Sequence, residues 1–259
     1  MKFKSILIFA IVLILTGAAF AQKPSPSKPE PTKSEPVKAA KLPTVQEILA
    51  KYVKAIGGRE ANEKIKTRFT TGTIELAPMG VKGTFESHAV AEAKSMTKMD
   101  LVGIGEFLDG SDGKIAWSVN PVQGSRDKTG LELAQAKLNN NFYREINLDK
   151  LYTKMELKGI EKVGEKDAYV VVATAEGLPP TTWYFDAIGG LILRADSVGI
   201  TPEGSQASKV FFDEFRTIDG VTIPTKVRAQ MPTAEILMTV TEVKHGVSIE
   251  EGKFGKPKQ

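Results

Sequence analysis

The sequence contains no cysteine. This absence excludes disulfide bonds, thiolate metal sites, thiol catalysis and a lipid-modified cysteine as a membrane anchor. Histidine is scarce too, because the chain has only His88 and His245, which lie far apart and form no metal-binding motif. We therefore expect a fold held by an ordinary hydrophobic core, with no metal site and no cofactor.

Common catalytic motifs are also missing. The chain has no G-x-S-x-G nucleophile elbow, no phosphate-binding P-loop and no H-E-x-x-H metal motif. Gly103-x-Gly105 lacks the third glycine of a dinucleotide-binding fingerprint. We expect a protein that is not an enzyme, although two carboxylates brought together by folding would leave no local motif.

The N-terminal segment is typical of a secretory signal peptide. A basic start with Lys2 and Lys4 precedes the apolar run at 5–15, and Ala19-Phe20-Ala21 provides a small-x-small cleavage site. The apolar run is shorter than the roughly 20 residues that a transmembrane helix needs. We expect residues 1–21 to be removed after Ala21, which leaves a mature protein that is free in the periplasm.

Residues 22–41 differ in composition from the rest of the chain. They are rich in proline, serine, lysine and glutamate and nearly free of large apolar side chains, so we expect a disordered tether. The whole chain has 35 basic and 31 acidic residues, and removing the seven lysines and two glutamates of 1–41 leaves 28 and 29. The remaining domain is nearly neutral, which argues against nucleic-acid binding.

Residues 42–259 are expected to form one domain that opens with a helix. Thr44 and Glu47 have the spacing of a capping box, and the apolar residues that follow fall on one helical stripe up to Gly57-Gly58. Thr129 and Glu132 have the same spacing and predict a second capping box and a second helix.

In the rest of the domain, apolar and polar residues alternate with a period of two, which predicts about a dozen strands joined by tight turns. Gly110 to Gly113 and Asp219-Gly220 are the clearest hairpin turns. Short connections favour antiparallel neighbours. The sequence therefore predicts an α+β fold, a single curved antiparallel sheet with helices against one face. The predicted strands are 69–76, 81–90, 94–101, 105–109, 114–119, 155–163, 168–174, 181–186, 191–198, 208–218, 221–230 and 234–244.

Four segments of the chain resemble the outer-membrane lipoprotein-sorting, LolA-like superfamily. They are TVQEILAKYVKAIGG at Thr44–Gly58, GIGEFLDGSDGKIAWS at Gly103–Ser118, YFDAIGGLILR at Tyr184–Arg194 and EFRTIDGVTIPTKVR at Glu214–Arg228. The resemblance implies an unclosed half β-barrel of about 11–12 antiparallel strands, with helices covering a concave apolar face. It also implies a carrier of lipoprotein acyl chains or other lipids.

Large apolar residues on several strands are candidates to line such a cavity. An error of one residue in the strand register would place each of them on the opposite face of the sheet. The alternative to a cavity is an ordinary core that these side chains fill. The candidate ligand-binding residues are Met99, Leu101, Phe107, Ile115, Trp117, Trp183, Phe185 and Leu193.

Three functions remain open at this point. The first is a periplasmic carrier that binds acyl chains of lipoproteins or other lipids without catalysis, as a monomer that meets a membrane-bound donor or acceptor protein. The second is an envelope sensor or scaffold that binds another protein. The third is a hydrolase acting on envelope polymer through Glu106, Asp109 or Asp112, whose spacing is more typical of acidic turn residues than of a calcium or acid-base site.

Overall fold

The computed structural model describes residues 42–77, 79–91 and 93–257. The predicted signal peptide and the predicted tether lie outside these ranges. The described residues from Pro43 onward form one compact unit. Among the described residues, no helix is both long and apolar enough to span a membrane.

Within the described ranges, thirteen strands form a single antiparallel sheet, which confirms the predicted fold class. The strands are β1 (Thr67–Ala77), β2 (Val81–Val90), β3 (Lys94–Leu101), β4 (Gly105–Asp112), β5 (Ala116–Asn120), β6 (Gly124–Asp127), β7 (Lys154–Val163), β8 (Lys166–Thr174), β9 (Thr181–Asp186), β10 (Ile192–Thr201), β11 (Gly204–Ile218), β12 (Val221–Met231) and β13 (Ala234–His245). The sheet is open, and its order from edge to edge is β6-β5-β4-β3-β2-β1-β13-β12-β11-β10-β9-β8-β7. Every pair of neighbouring strands except β1 and β13 is also consecutive in sequence, as short hairpin connections require.

Short helices occupy the start and the middle of the domain. The capping box of the first helix is confirmed, since the Glu47 N–H donates to Thr44 Oγ1 at 3.2 Å and the Thr44 N–H donates to Glu47 Oε2 at 2.7 Å. The helices are α1 (Val45–Ala55), α2 (Gly58–Lys64), α3 (Gly130–Asn139) and α4 (Leu148–Leu151), with 3₁₀ turns at Arg144–Ile146 and Glu251–Phe254.

The second predicted capping box is wrong. Thr129 precedes α3, but its side chain forms no capping hydrogen bond. Glu132 instead receives two hydrogen bonds from the Arg126 guanidinium, at 2.7 Å each. A bidentate bond to arginine is stronger than a neutral capping bond, and it joins α3 to strand β6.

One hairpin turn lies later in the chain than predicted. β4 continues to Asp112, so Gly110 and Ser111 are strand residues. The Asp112 carboxylate accepts the N–H groups of Lys114 at 2.8 Å and Ile115 at 2.9 Å, and this local bonding fixes the turn. Ile115 therefore lies in the turn instead of the following strand, and it is 43% exposed.

The sheet curls until its two halves approach each other. α3 contacts both β5 and β10, which are separated in the sheet by seven other strands. The Gln135 side-chain amide donates to the Val198 carbonyl at 2.8 Å and accepts the Ile200 N–H at 2.9 Å, so α3 is bonded directly to β10. A side-chain hydrogen bond from Gln123 to Glu203 also joins the turn between β5 and β6 to the turn between β10 and β11.

Candidate ligand-binding cavity

The two faces of the sheet differ in what covers them. Directly opposed residues on neighbouring strands point to the same face, and side chains alternate along each strand. We call the face beneath α1 the inner face. Buried residues of α1 pack there against strands β8 to β10, where Tyr52 meets the Phe185 ring edge-on with centroids 5.5 Å apart. The opposite face is called the outer face.

A partly open cavity of about 240 Å³ lies between the helices and the inner face. We call it the aromatic cavity, since six aromatic residues contribute to its wall. It is also lined by aliphatic residues, among them Ile56, Ile192 and Val240. Its aromatic residues are Tyr52, Phe142, Tyr143, Trp183, Phe212 and Phe215.

The segment 142–148 covers one side of the aromatic cavity and is held by polar contacts. The Arg59 guanidinium donates to the Ile146 carbonyl at 2.5 Å and to Asn147 Oδ1 at 3.0 Å. The Tyr143 hydroxyl donates to the Ile65 carbonyl at 3.0 Å. These bonds attach the segment to α2 and to the residues just before β1.

Two arginines reach the wall of this apolar space. Arg144 donates to Asn139 Oδ1 at 3.0 Å and pairs with Glu145 at 3.3 Å, and its guanidinium carbon lies 5.7 Å from the centroid of the Trp183 indole. No hydrogen bond or ion pair joins the Arg68 side chain to a described residue, and its Nε is buried without a partner. Its guanidinium carbon lies 5.3 Å from the centroid of the Phe142 ring.

Burial affects these groups differently. It lowers the pKa of Arg68, and the nearby Glu145 carboxylate offsets only part of that effect. Burial acts in the same direction on Arg144, but adjacent Glu145 and the neighbouring tyrosines more than compensate and raise its pKa. Burial also raises the pKa of Tyr52 far above its usual range, so this phenol stays neutral.

A second space, of about 300 Å³, lies beneath α3, and we call it the α3 cavity. Its polar wall is internally neutralised, because Lys128 pairs with Asp109 and Arg126 pairs with Glu132. Its apolar wall includes Met99 and Phe107. These two residues belong to one apolar cluster with Val240, which lines the aromatic cavity.

The structure places the eight candidate residues in different surroundings. Trp183 lines the aromatic cavity, and Phe185 lies beside it in the core under α1. Met99 and Phe107 line the α3 cavity, and Leu101 packs with them. The remaining three lie elsewhere: Ile115 in a turn, and Trp117 and Leu193 on the outer face.

The acidic residues of the hydrolase alternative are not brought together as a set. Asp109 points to the inner face and pairs with Lys128, whereas Glu106 points to the outer face and pairs with Lys98. Asp112 accepts backbone bonds of its own turn, which hold the pKa of its carboxyl below its usual value. Among the described residues, no three histidine or acidic side chains are grouped so as to hold a metal ion.

Sequence reasoning missed the two arginines and the segment that carries Arg144. Arg68 stands in a strand where alternation assigns it to the inner face, opposite His245 of β13 and Ala89 of β2. A charged residue on an otherwise apolar face was the signal that could have identified it. Segment 142–148 has no strong periodicity, so its position over the cavity could not be derived from pattern.

Comparison with known proteins gives a match in structure only. No protein-family model matches the chain, and no curated protein sequence matches it. A DUF1329 family protein from Desulfovibrio piger superposes with a TM-score of 0.56 at 15% identity, covering 82% of this chain and 97% of that one. A LolA superfamily protein from Nitrosomonas europaea superposes with a TM-score of 0.55 at 16% identity, covering 83% of this chain and 99% of that one.

Proposed function

We propose that this chain, a divergent protein with a LolA-like fold, binds the acyl chain of a lipid or lipoprotein in its aromatic cavity, without catalysis. The single observation that carries the proposal is an aromatic and aliphatic cavity held between α1, segment 142–148 and the inner face of a curled sheet. Ligand sites in proteins are typically concave, mostly apolar and provided with a few polar groups.

The size of the cavity limits what it holds. A cavity of about 150 Å³ lined by apolar residues is known to accept benzene, and the aromatic cavity has a volume of about 240 Å³. This space suits a segment of one alkyl chain, and we propose that the rest of the chain packs against the apolar cluster that contains Val240, Met99 and Phe107. Each buried methylene contributes about 0.8 kcal/mol to binding.

The cellular part of the proposal comes from the N-terminal sequence. Export by the signal peptide, cleavage after Ala21 and the absence of cysteine would give an unanchored periplasmic protein. Such a protein would act as a monomer that exchanges its ligand with a donor or acceptor at a membrane. The LolA-like fold supports this role as an analogy of architecture.

The two tryptophans of the chain allow a site-specific binding test. Trp183 lines the aromatic cavity, while Trp117 is buried on the outer face, where its Nε1–H donates to the Phe254 carbonyl at 2.9 Å. We expect titration with an alkyl ligand such as dodecanol to change the emission of a Trp117→Phe variant, which keeps only Trp183. The matched Trp183→Phe variant, which keeps only Trp117, should show little change.

Two results would contradict the proposal. One is the absence of any emission change in either variant, together with no bound ligand by calorimetry. The other is an emission change confined to Trp117, which would place the ligand on the outer face.

A further inference from the structure

The aromatic cavity contains buried hydrogen-bond donors that have no protein acceptor. Among the described residues that line it, three side-chain nitrogens are buried without a partner: Arg68 Nε, Arg144 Nε and Trp183 Nε1. All three carry a hydrogen to donate. No buried side-chain acceptor among these lining residues lacks a partner, so the side chains of this wall lack an acceptor and not a donor.

The same wall carries a net positive charge, which an anionic acceptor would complement. Arg68 and Arg144 carry two positive charges, and Glu145 is the one acidic residue among the lining residues. Glu145 is paired with Arg144 at 3.3 Å. Arg68 is therefore a cation that burial disfavours and that has no carboxylate in contact.

We infer that the aromatic cavity binds the anionic head of a single-chain amphiphile, whose carboxylate or phosphate oxygens accept from Arg68, Arg144 and Trp183. This inference rests on the proposed function and specifies its ligand class. The alkyl chain follows the apolar surface from Val240 toward Met99 and Phe107. The head neutralises Arg68, and its lone pairs satisfy donors that a hydrocarbon alone would leave buried and unpaired.

An uncharged head suits this wall less well. An alcohol or ester oxygen can accept hydrogen bonds but leaves the charge of Arg68 uncompensated in an apolar space. Hydrogen bonds from arginine to a carboxylate or phosphate are shorter and roughly twice as strong as neutral ones. The wall therefore distinguishes ligands by the charge of the head as well as by the length of the chain.

The test compares heads on one constant chain. Dodecanoate, dodecyl phosphate and dodecanol are titrated into the full mature protein, with Trp183 emission and calorimetry as readouts. We expect both anions to bind about tenfold or more tightly than dodecanol, the ratio that one to two charged hydrogen bonds provide. Acetate and inorganic phosphate, which carry the heads without the chain, should bind too weakly to compete.

Matched variants locate the effect. Arg68→Gln should remove most of the preference for the anions over dodecanol. Arg228→Gln also removes one positive charge, but Arg228 lies on the outer face over the Phe211 ring, so it should keep the full preference. Circular dichroism confirms that each variant is folded before titration.

The outcomes separate this inference from the proposed function. Equal binding of all three alkyl ligands to the native protein would overturn the anionic-head site and leave acyl binding intact. Equal competition by inorganic phosphate and dodecyl phosphate would overturn it as well, because the chain would then contribute nothing. If no alkyl ligand binds, the proposed function and this inference both fail.

Discussion

Gly110 shows how a single residue can determine packing on the outer face. A Cβ atom at this position would lie 2.4 Å from the Trp117 ring, which packs directly over the β4 backbone. We predict that Gly110→Ala displaces the indole and lowers the free energy of unfolding by about 1–3 kcal/mol. Gly199→Ala is the control, because a Cβ there meets only the Gln206 carbonyl at 3.7 Å. Urea unfolding measures both, and equal stability of the two variants would contradict this packing.

His88 is expected to make stability depend on pH. Burial lowers the pKa of its imidazole, and Lys253 lowers it further, while Glu86 acts in the opposite direction from 3.6 Å away. Because the unfolded chain then binds a proton more readily than the folded one, stability falls as the pH drops below about 6.5, the pKa of an exposed histidine.

The test of this prediction is a comparison of free energies of unfolding at several pH values. His88→Gln should reduce the loss of stability between neutral pH and the lowered pKa of His88. Carboxylates titrate in both proteins, so the difference between the two curves isolates the histidine. If the free energies of unfolding of the two proteins change in parallel with pH, His88 does not cause the loss of stability.

Two candidate residues lie on the outer face for reasons that a period of two does not carry. The register shift between Ile192 and Arg194 places the consecutive residues Leu193 and Arg194 on the same outer face, beside Tyr184. Trp117 follows the predicted alternation, yet its side of the strand is covered by the C-terminal segment and not by a helix. The alternation of apolar residues along a strand reveals neither a register shift nor which segment of the chain covers a face.

At the scale of elements, α3 is attached to β6 by a charged contact. Glu132 receives both guanidinium bonds from Arg126, and the two side chains are 15% and 25% exposed. We predict that Glu132→Gln weakens the docking of α3 by about 1–3 kcal/mol, because Arg126 would lose its charged partner. Hydrogen exchange of residues 130–139 should accelerate, while exchange in β8 and β9 stays unchanged.

Lys137→Gln is the matched control for α3. It also removes one charge from the same helix, but Lys137 is exposed. Exchange in α3 should therefore stay close to that of the native protein. Equal acceleration in both variants would mean that the helix responds to its charge and not to the Arg126 contact.

The sequence predicts most elements because their signals are local. Asp219 and Gly220 adopt φ values of 51° and 80°, as a type I′ turn requires, so the predicted β11–β12 hairpin is confirmed. β6 was missed, because Gly-Ser-Arg-Asp has no apolar alternation and pairs only through its backbone. The capping box predicted at Thr129 is wrong, since Arg126, only six residues before Glu132, binds the Glu132 carboxylate.

At the scale of the whole molecule, the aromatic cavity depends on contacts between distant segments. Its wall combines α1, α2, segment 142–148 and strands from both halves of the sheet. The curl that brings these together is maintained by α3 between β5 and β10. A pattern of two or 3.6 residues defines which face of an element is apolar, but not how far a sheet curls or what space it leaves.

Native mass spectrometry of the protein purified gently from the envelope of its own cells tests acyl binding most directly. We predict one lipid adduct per chain, which is lost on delipidation and restored by adding dodecanoate. A Val240→Phe variant, which places a ring at the cavity wall, should retain less adduct than the native protein. An adduct-free protein that also fails to take up an alkyl ligand after delipidation would contradict the account.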